Sequence, residues 1–145
     1  MPLPQISLFL ENKPGRLASV CHALTDGGVN IASLSLADTS DFGIVRLLVD
    51  KPDAARDLLK AAGFGVNVRD VVAVTVPDKP GGMADVLAAL DAAGVNVEYS
   101  YAFAFHHGEK AVLVFRFADN AKALDALGKA GIAVLAFADI MTDAG

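Results

Sequence analysis

The chain has 145 residues, 54% of them hydrophobic, so one domain or two small ones could form a sufficient core. Its formal net charge is −5, and its 12 lysine and arginine residues are scattered, which argues against nucleic acid as a partner. Charged residues or glycine interrupt every apolar run before the roughly 18 residues of a membrane helix, which excludes a membrane-spanning segment.

In the first half of the chain, alternating apolar residues predict a strand at 6–10. An apolar pattern at i, i+3, i+4 and i+7 then predicts an amphipathic helix over 17–24. The remaining predicted elements of this half are extended segments at 31–37 and 43–49, a second helix that ends at Ala62 and Gly63, and a strand at 66–69.

The second half repeats this order. Alternation predicts a strand at 72–76, and the helical apolar pattern returns over 83–90. The elements predicted after these are extended segments at 97–105 and 111–117, a helix that ends at Ala130 and Gly131, and a last strand at 132–138. Because 66–76 is nearly continuous extended sequence, we expect the last strand of the first half to run directly into the first strand of the second.

The two halves are copies of one unit. Lys13-Pro14-Gly15 recurs as Lys79-Pro80-Gly81, and Gly28-Val29-Asn30-Ile31 recurs as Gly94-Val95-Asn96-Val97, both at a shift of 66 residues. We therefore predict two domains, residues 1–70 and 71–145. The order strand, helix, strand, strand, helix, strand predicts an α+β fold of two ferredoxin-like βαββαβ units, each an antiparallel sheet with helices packed on one face.

The junction between the first strand and the first helix has the chemistry of an anion site. Pro14 suits the first helical position, where its missing N–H costs nothing, and the next backbone N–H groups lack helical partners. Gly15 leaves room for a small carboxylate, which the helix dipole favours. Asn12 and Asn30 each offer a donor and an acceptor, which suits a zwitterion. The alternative is that Asn12 only caps the helix and Asn30 only forms a turn.

The first half runs in the order of a strand that ends in Asn-Lys-Pro-Gly, a helix, Gly-Val-Asn-Ile and a further strand. This order resembles the ACT domain, a module that senses small molecules. Both halves carry the pattern, so the resemblance implies a protein made of tandem ACT domains. In that family the modules pair, commonly side by side, and bind amino acids at the interface between them. Asn12 and Asn30 match positions that hold the effector in serine-sensing members. Leu10 departs from that pattern, in which histidine is expected, and so argues against serine.

The resemblance also implies that the two asparagine positions of one site come from opposite domains. One predicted site then combines Asn12 with Asn96, and the other combines Asp78 with Asn30. Lys13, Pro14 and Gly15 belong to the first junction, and Gly81 belongs to the second. Because the Asp78 carboxylate repels a ligand carboxylate, we expect the first site to be the stronger one.

Residues between the second and third strands are further candidates. Thr39, Ser40 and Asp41 could lend hydroxyls and a carboxylate to a ligand, and the alternative is a polar hairpin connection.

The resulting hypothesis is a non-catalytic, amino-acid-binding regulatory protein without a cofactor or metal, since no nucleophile, base and orienting group fall together in the sequence. We expect a homodimer and, as a further partner, an enzyme of amino-acid biosynthesis. A single cysteine and a start without a basic and then apolar leader lead us to expect a cytoplasmic location. The alternative is a subunit that acts on an enzyme through protein contact and binds nothing small.

Overall fold

The computed structural model describes residues 3–38, 41–107 and 110–144, which divide into two compact units. Residues 4–69 form the first unit, and Leu3 with residues 70–144 forms the second. In chain order the elements are β1 (Leu3–Glu11), α1 (Arg16–Asp26), β2 (Ile31–Asp38), β3 (Phe42–Val49), α2 (Pro52–Ala61), β4 (Val66–Pro77), α3 (Gly82–Ala92), β5 (Val97–His107), β6 (Lys110–Phe117), α4 (Asn120–Lys129), β7 (Val134–Leu135) and α5 (Phe137–Ala144).

The first unit is an antiparallel sheet with its helices on one face. β3 pairs antiparallel with both β1 and β2, and β4, whose first residues belong to this unit, lies beside β1. The sheet and the helices bury their apolar side chains against each other because these recur with period two on the strands and near 3.6 on the helices. The fully buried side chains of this core include Ile6, Leu24, Leu47 and Leu59.

The second unit repeats the arrangement. β6 pairs antiparallel with β4 and β5, and β7 pairs antiparallel with β4. The core lies between this sheet and the helices α3 and α4, and it contains the stacked rings of Phe115 and Phe117, whose centroids are 5.4 Å apart. The predicted α+β fold with ferredoxin-like units is confirmed.

β4 is continuous from Val66 to Pro77, as the sequence predicts. Asn67 to Asp70 are exposed, whereas Val71 to Val76 are all buried. One strand therefore closes the first unit and opens the second without a linker.

The predicted last strand at 132–138 is wrong. Only Val134 and Leu135 form a strand, and α5 follows at once. The helix starts there because the Asp139 carboxylate accepts a hydrogen bond from the Ala136 N–H at 3.0 Å, which is half of a capping box. Ile140 is fully buried, and burial of this side chain holds the helix in place.

Candidate functional site

The first junction is the turn of residues 12–15 between β1 and α1. The Asn12 N–H donates to the carbonyl oxygen of Asp41 at 3.0 Å, and the Lys13 N–H donates to the carbonyl oxygen of Glu11 at 2.8 Å. The first of these bonds ties the turn to the residue before β3. Both backbone positions are thus set by hydrogen bonds, and the Asn12 and Lys13 side chains are exposed.

α1 begins without a side-chain cap. Its N-cap is Gly15, which has a φ of 85°, a left-handed conformation that costs a side-chain-bearing residue about 1–2 kcal/mol. The prediction that Pro14 occupies the first helical position is wrong, because Gly15 intervenes before the helix starts at Arg16. Asn12 does not cap the helix either, so the capping interpretation of this residue is also wrong. The positive end of the helix dipole at α1 is therefore not met by a capping side chain.

Three charged side chains surround the turn. The Glu11 carboxylate lies 3.0 Å from Lys13 Nζ and 3.2 Å from Arg16 Nη2. The hydrogen bond from Lys13, followed by the positive charges of Lys13 and Arg16, lowers the pKa of Glu11 below its ordinary value. All three side chains are at least 42% exposed, so the pairs add little to stability but determine the local charge pattern.

A pocket of about 70 Å³, partly open to solvent, lies at this junction. A volume of this size is below the range for small-molecule sites, which is about 300–1,000 Å³, so these residues enclose only part of such a ligand. Its lining residues come from β1, the turn, α1, β2 and β3, and they are Leu10, Glu11, Asn12, Lys13, Leu17, Leu36 and Gly43. Residues that carry a carboxylate, an amide and an ammonium group thus line one pocket with three leucines.

The structure brings together only some of the predicted residues of the first unit. Leu10, Asn12 and Lys13 line the pocket, and Pro14 and Gly15 follow them in the turn. Asp41 contributes its carbonyl oxygen to the bond with Asn12.

Asn30 lies beyond the opposite end of α1, an 11-residue helix that is about 16 Å long at 1.5 Å per residue. Its backbone N–H donates to the carboxylate of Asp50 at 2.9 Å, and its carbonyl oxygen accepts from the Asp50 N–H at 3.1 Å. Within the first unit, Asn12 and Asn30 therefore do not form one site. Thr39 and Ser40 lie outside the described residues.

Sequence reasoning missed four residues of the pocket: Glu11, Leu17, Leu36 and Gly43. Leu17 belongs to the apolar pattern that predicts the helix and carries no signal of a pocket, and the pairing of Leu10 with Gly43 depends on a strand register that the sequence does not state. The repeat carries one signal for Glu11, since Pro77 stands at the equivalent position of the second unit. A difference between copies at such a junction indicates a residue with a role in only one of them.

The second junction has the same backbone with other side chains. Gly81 has a φ of 91° and is the N-cap of α3, and the Lys79 N–H donates to the carbonyl oxygen of Pro77 at 2.9 Å. Asp78 stands where the first junction has Asn12 and is exposed. Asn96 lies beyond the other end of α3, where its carbonyl oxygen accepts from the Ala118 N–H at 3.4 Å.

The part of the chain that the structure describes holds no group of three or more histidine, cysteine, aspartate or glutamate side chains that could bind a metal ion. None of its helices is both long and apolar enough to span a bilayer.

Solved structures include close matches to this chain. A protein from Bacteroides thetaiotaomicron is 39% identical, with a TM-score of 0.90, and the match covers 97% of this chain and 96% of that one. The regulatory subunit of aspartate kinase from Thermus thermophilus matches at 22% identity and a TM-score of 0.64, over 88% of this chain and 91% of that one. Its counterpart from Thermus flavus matches at 20% identity and a TM-score of 0.59, over 88% and 92%. No curated protein matches the sequence.

The two aspartate kinase subunits share the fold of this chain. A family description, the ACT domain pair, matches residues 1–142, which is nearly the whole sequence. Together with the repeated strand, turn and helix of both units, this match establishes that the chain belongs to the ACT domain family as an ACT domain pair.

Proposed function

We propose that this protein is a non-catalytic regulator that binds a free amino acid at the first junction. The observation that carries the proposal is a pocket lined by Glu11, Asn12 and Lys13, residues that carry a carboxylate, an amide and an ammonium group. A zwitterion needs an acceptor for its ammonium group and a donor for its carboxylate, and these side chains offer both. The uncapped start of α1 adds favourable potential for the carboxylate.

The proposed site is completed by a second ACT unit. Asn12 and Asn30 lie at opposite ends of α1, which supports a site that takes its two asparagine groups from different units. The combinations of Asn12 with Asn96 and of Asp78 with Asn30 stay predictions.

A homodimer is part of the proposal. Among the described strands β2 pairs only with β3, so its other edge offers unpaired backbone groups to a partner. Leu34 and Leu36 on this strand are 38% and 48% exposed. Because Leu36 also lines the pocket, pairing at this edge would cover one wall of the ligand site.

Regulation requires that the ligand bind one arrangement of the paired domains better than another. A pocket beside an exposed strand edge meets this requirement, since pairing changes its surroundings. The proposed output is an enzyme of amino-acid biosynthesis. Support for such a partner comes from the shared fold of the regulatory subunits of aspartate kinase.

The test is a thermal-shift screen of the purified protein against the twenty amino acids. A ligand that binds only the folded state stabilises it by RT ln(1 + [L]/Kd), about 2.7 kcal/mol at a hundredfold excess over Kd. We expect at least one amino acid to raise the melting temperature.

Two variants and a control assign the effect to the first junction. Asn12→Ala should weaken the ligand more than Asp78→Ala does, because Asn12 lines the pocket. Asn67→Ala is the matched control, since Asn67 is an exposed asparagine of the same unit and does not line the pocket. A larger loss in Asp78→Ala than in Asn12→Ala would contradict the assignment to the first junction.

A second candidate function is a regulatory subunit that acts by protein contact without a small ligand. It is favoured by Phe9 and Phe42, which are 63% and 52% exposed. Phe9 pairs with Ile44 and Phe42 with Glu11 across β1 and β3, so both rings stand on the face of the sheet away from α1 and α2. Melting temperatures that stay unchanged with all twenty amino acids would favour this second function.

A further inference from the structure

We propose that the first-junction pocket selects an α-amino acid with an aliphatic side chain, and that Glu11 recognises its ammonium group. This inference rests on the proposed function and adds the class of ligand. The pocket is divided chemically: Glu11, Asn12 and Lys13 supply its polar groups, while the side chains of the remaining lining are those of three leucines.

The three leucines form an apolar wall. Leu10 is 5% exposed and belongs to the core of the first unit, so it is fixed in place. Leu17 packs against the same core, and Leu36 stands 48% exposed at the edge strand. An aliphatic ligand would bury apolar surface against this wall, whereas a hydroxyl, amide or charged side chain would lose water there and find no hydrogen-bonding group on the leucines.

Gly43 makes room for this wall. It stands opposite Leu10 in the pairing of β1 with β3, and a Cβ added to it would lie 2.9 Å from Leu36 Cδ1. A methyl group at this position would therefore push the end of the Leu36 side chain aside, at little cost to the fold because that end is flexible. The absence of a side chain at Gly43 thus lets Leu36 adopt its place in the pocket.

The second unit lacks both features of the wall. Ala111 stands opposite Val76 as Gly43 stands opposite Leu10, and Ala102 holds the position that corresponds to Leu36 in the repeat. Leu36 and Gly43, the glycine that accommodates its side chain, occur together in the first unit, and alanine replaces both in the second. This joint replacement supports a role for the pair in the first junction alone.

Glu11 gives the polar half its selectivity. Its carboxylate accepts from Lys13 at 3.0 Å and from Arg16 at 3.2 Å, and of these two cations Lys13 lines the pocket. An amino acid can exchange partners with the internal pair: its carboxylate takes the Lys13 ammonium, and its ammonium takes the Glu11 carboxylate. A 2-oxo acid has no ammonium group, so its carboxylate would take Lys13 from Glu11 and leave the Glu11 carboxylate without a replacement for that cation.

The first experiment compares ligands on the wild-type protein by calorimetric titration. The probes are L-valine, L-leucine, L-isoleucine, L-serine, L-threonine, L-aspartate, L-lysine and 4-methyl-2-oxopentanoate, the deaminated form of leucine. We expect the tightest ligand to be one of the three aliphatic amino acids. The polar amino acids and the oxo acid should bind about tenfold more weakly or worse, the order of effect that a changed group has in an apolar pocket.

Variants then separate the two halves of the pocket. Gly43→Ala should weaken the tightest aliphatic amino acid by about tenfold without a loss of thermal stability. Gly128→Ala on α4 of the second unit is its control, since an added methyl meets nothing within 4 Å there, and it should leave binding unchanged. Leu36→Ser, at an exposed position that tolerates the change, should reduce the preference for aliphatic over polar amino acids. Glu11→Gln should bring leucine and its oxo acid to similar affinities.

The outcomes distinguish this inference from the function on which it rests. Tightest binding of serine, threonine, aspartate or lysine would overturn the aliphatic class and leave an amino-acid regulator standing. An undiminished preference for leucine over its oxo acid in Glu11→Gln would overturn the role of Glu11. If none of the amino acids binds, both the inference and the proposed function fail.

Discussion

At the first junction Gly15 adopts a φ of 85° before α1, and at the second junction Gly81 adopts a φ of 91° before α3. In both turns the lysine two residues before this glycine donates its N–H to the carbonyl oxygen of the residue two positions before the lysine. The distance is 2.8 Å for Lys13 and 2.9 Å for Lys79. Neither helix has a side-chain cap. The backbone of the turn is therefore a common property of the repeat.

The side chains around the two turns differ. Glu11 corresponds to Pro77, so the second junction lacks the carboxylate that holds Lys13 and Arg16 in the first. Arg16 corresponds to Gly82, which is buried and lies so close to the Pro77 carbonyl that a Cβ would clash with it. At equivalent positions, Arg16 thus carries an ion pair with Glu11, whereas Gly82 packs its backbone against that of Pro77.

This comparison separates what the fold needs from what the site needs. A left-handed glycine is required by the backbone path from strand to helix, and both copies keep it. Charge, apolar walls and side-chain size are not required by that path, and they have diverged. A motif shared by both copies, such as Lys-Pro-Gly, therefore locates the turn, and the residues that differ between copies locate the chemistry.

The largest loss of stability is expected from Gly82→Ala. Its methyl group would meet the Pro77 carbonyl, a backbone group that cannot turn aside, so we expect a loss of about 1–3 kcal/mol, the usual cost of overpacking. Urea denaturation measures it. Arg16→Ala, at the equivalent position of the first junction, is the control and should change stability by less than about 1 kcal/mol because its ion pair is exposed. Equal losses in the two variants would refute the distinction between the turns.

We expect a loss of stability of intermediate size that is the same at both junctions. Gly15→Ala and Gly81→Ala each force a Cβ into the left-handed conformation, at about 1–2 kcal/mol. Nothing lies within 4 Å of the added methyl in either case, so strain alone should act. The two losses, measured by the same denaturation, should agree within about 0.5 kcal/mol. A clear inequality would mean that the turns do not share their energetics.

The smallest expected effect is the pH dependence of stability at the first junction. The pKa of Glu11 is lowered in the folded state, so its stabilisation is present above the ordinary pKa of 4.5 and is lost as the pH falls through the folded value. Glu11→Gln should be slightly less stable than wild type at about pH 6, and the gap should close towards about pH 3. Denaturation across this range measures it, and a gap independent of pH would show that Glu11 gains nothing from Lys13.

Pattern reasoning succeeded where a signal is local and repeated. The alternation in β1 and the helical spacing in α1 each appear twice in the chain, and the continuous extended stretch predicts β4 directly. The end of the chain lacked such a signal. Residues 132–138 are a continuous apolar run that fits a strand, yet only Val134 and Leu135 form one, because the Asp139 carboxylate caps a helix and Ile140 is buried.

The sequence by itself determined the two copies, their order of strands and helices, and the position of each turn, since these depend on periodicity and on glycine at fixed places. Only the tertiary structure decided which groups share the first pocket. Leu36 and Gly43 come from strands far along the chain from Asn12, and the register of β1 with β3 sets Gly43 opposite Leu10. Strand register is fixed by the burial of one sheet face and by the turns, and not by any short motif. The sequence therefore does not predict the apolar wall of the pocket, which depends on the assembled sheet.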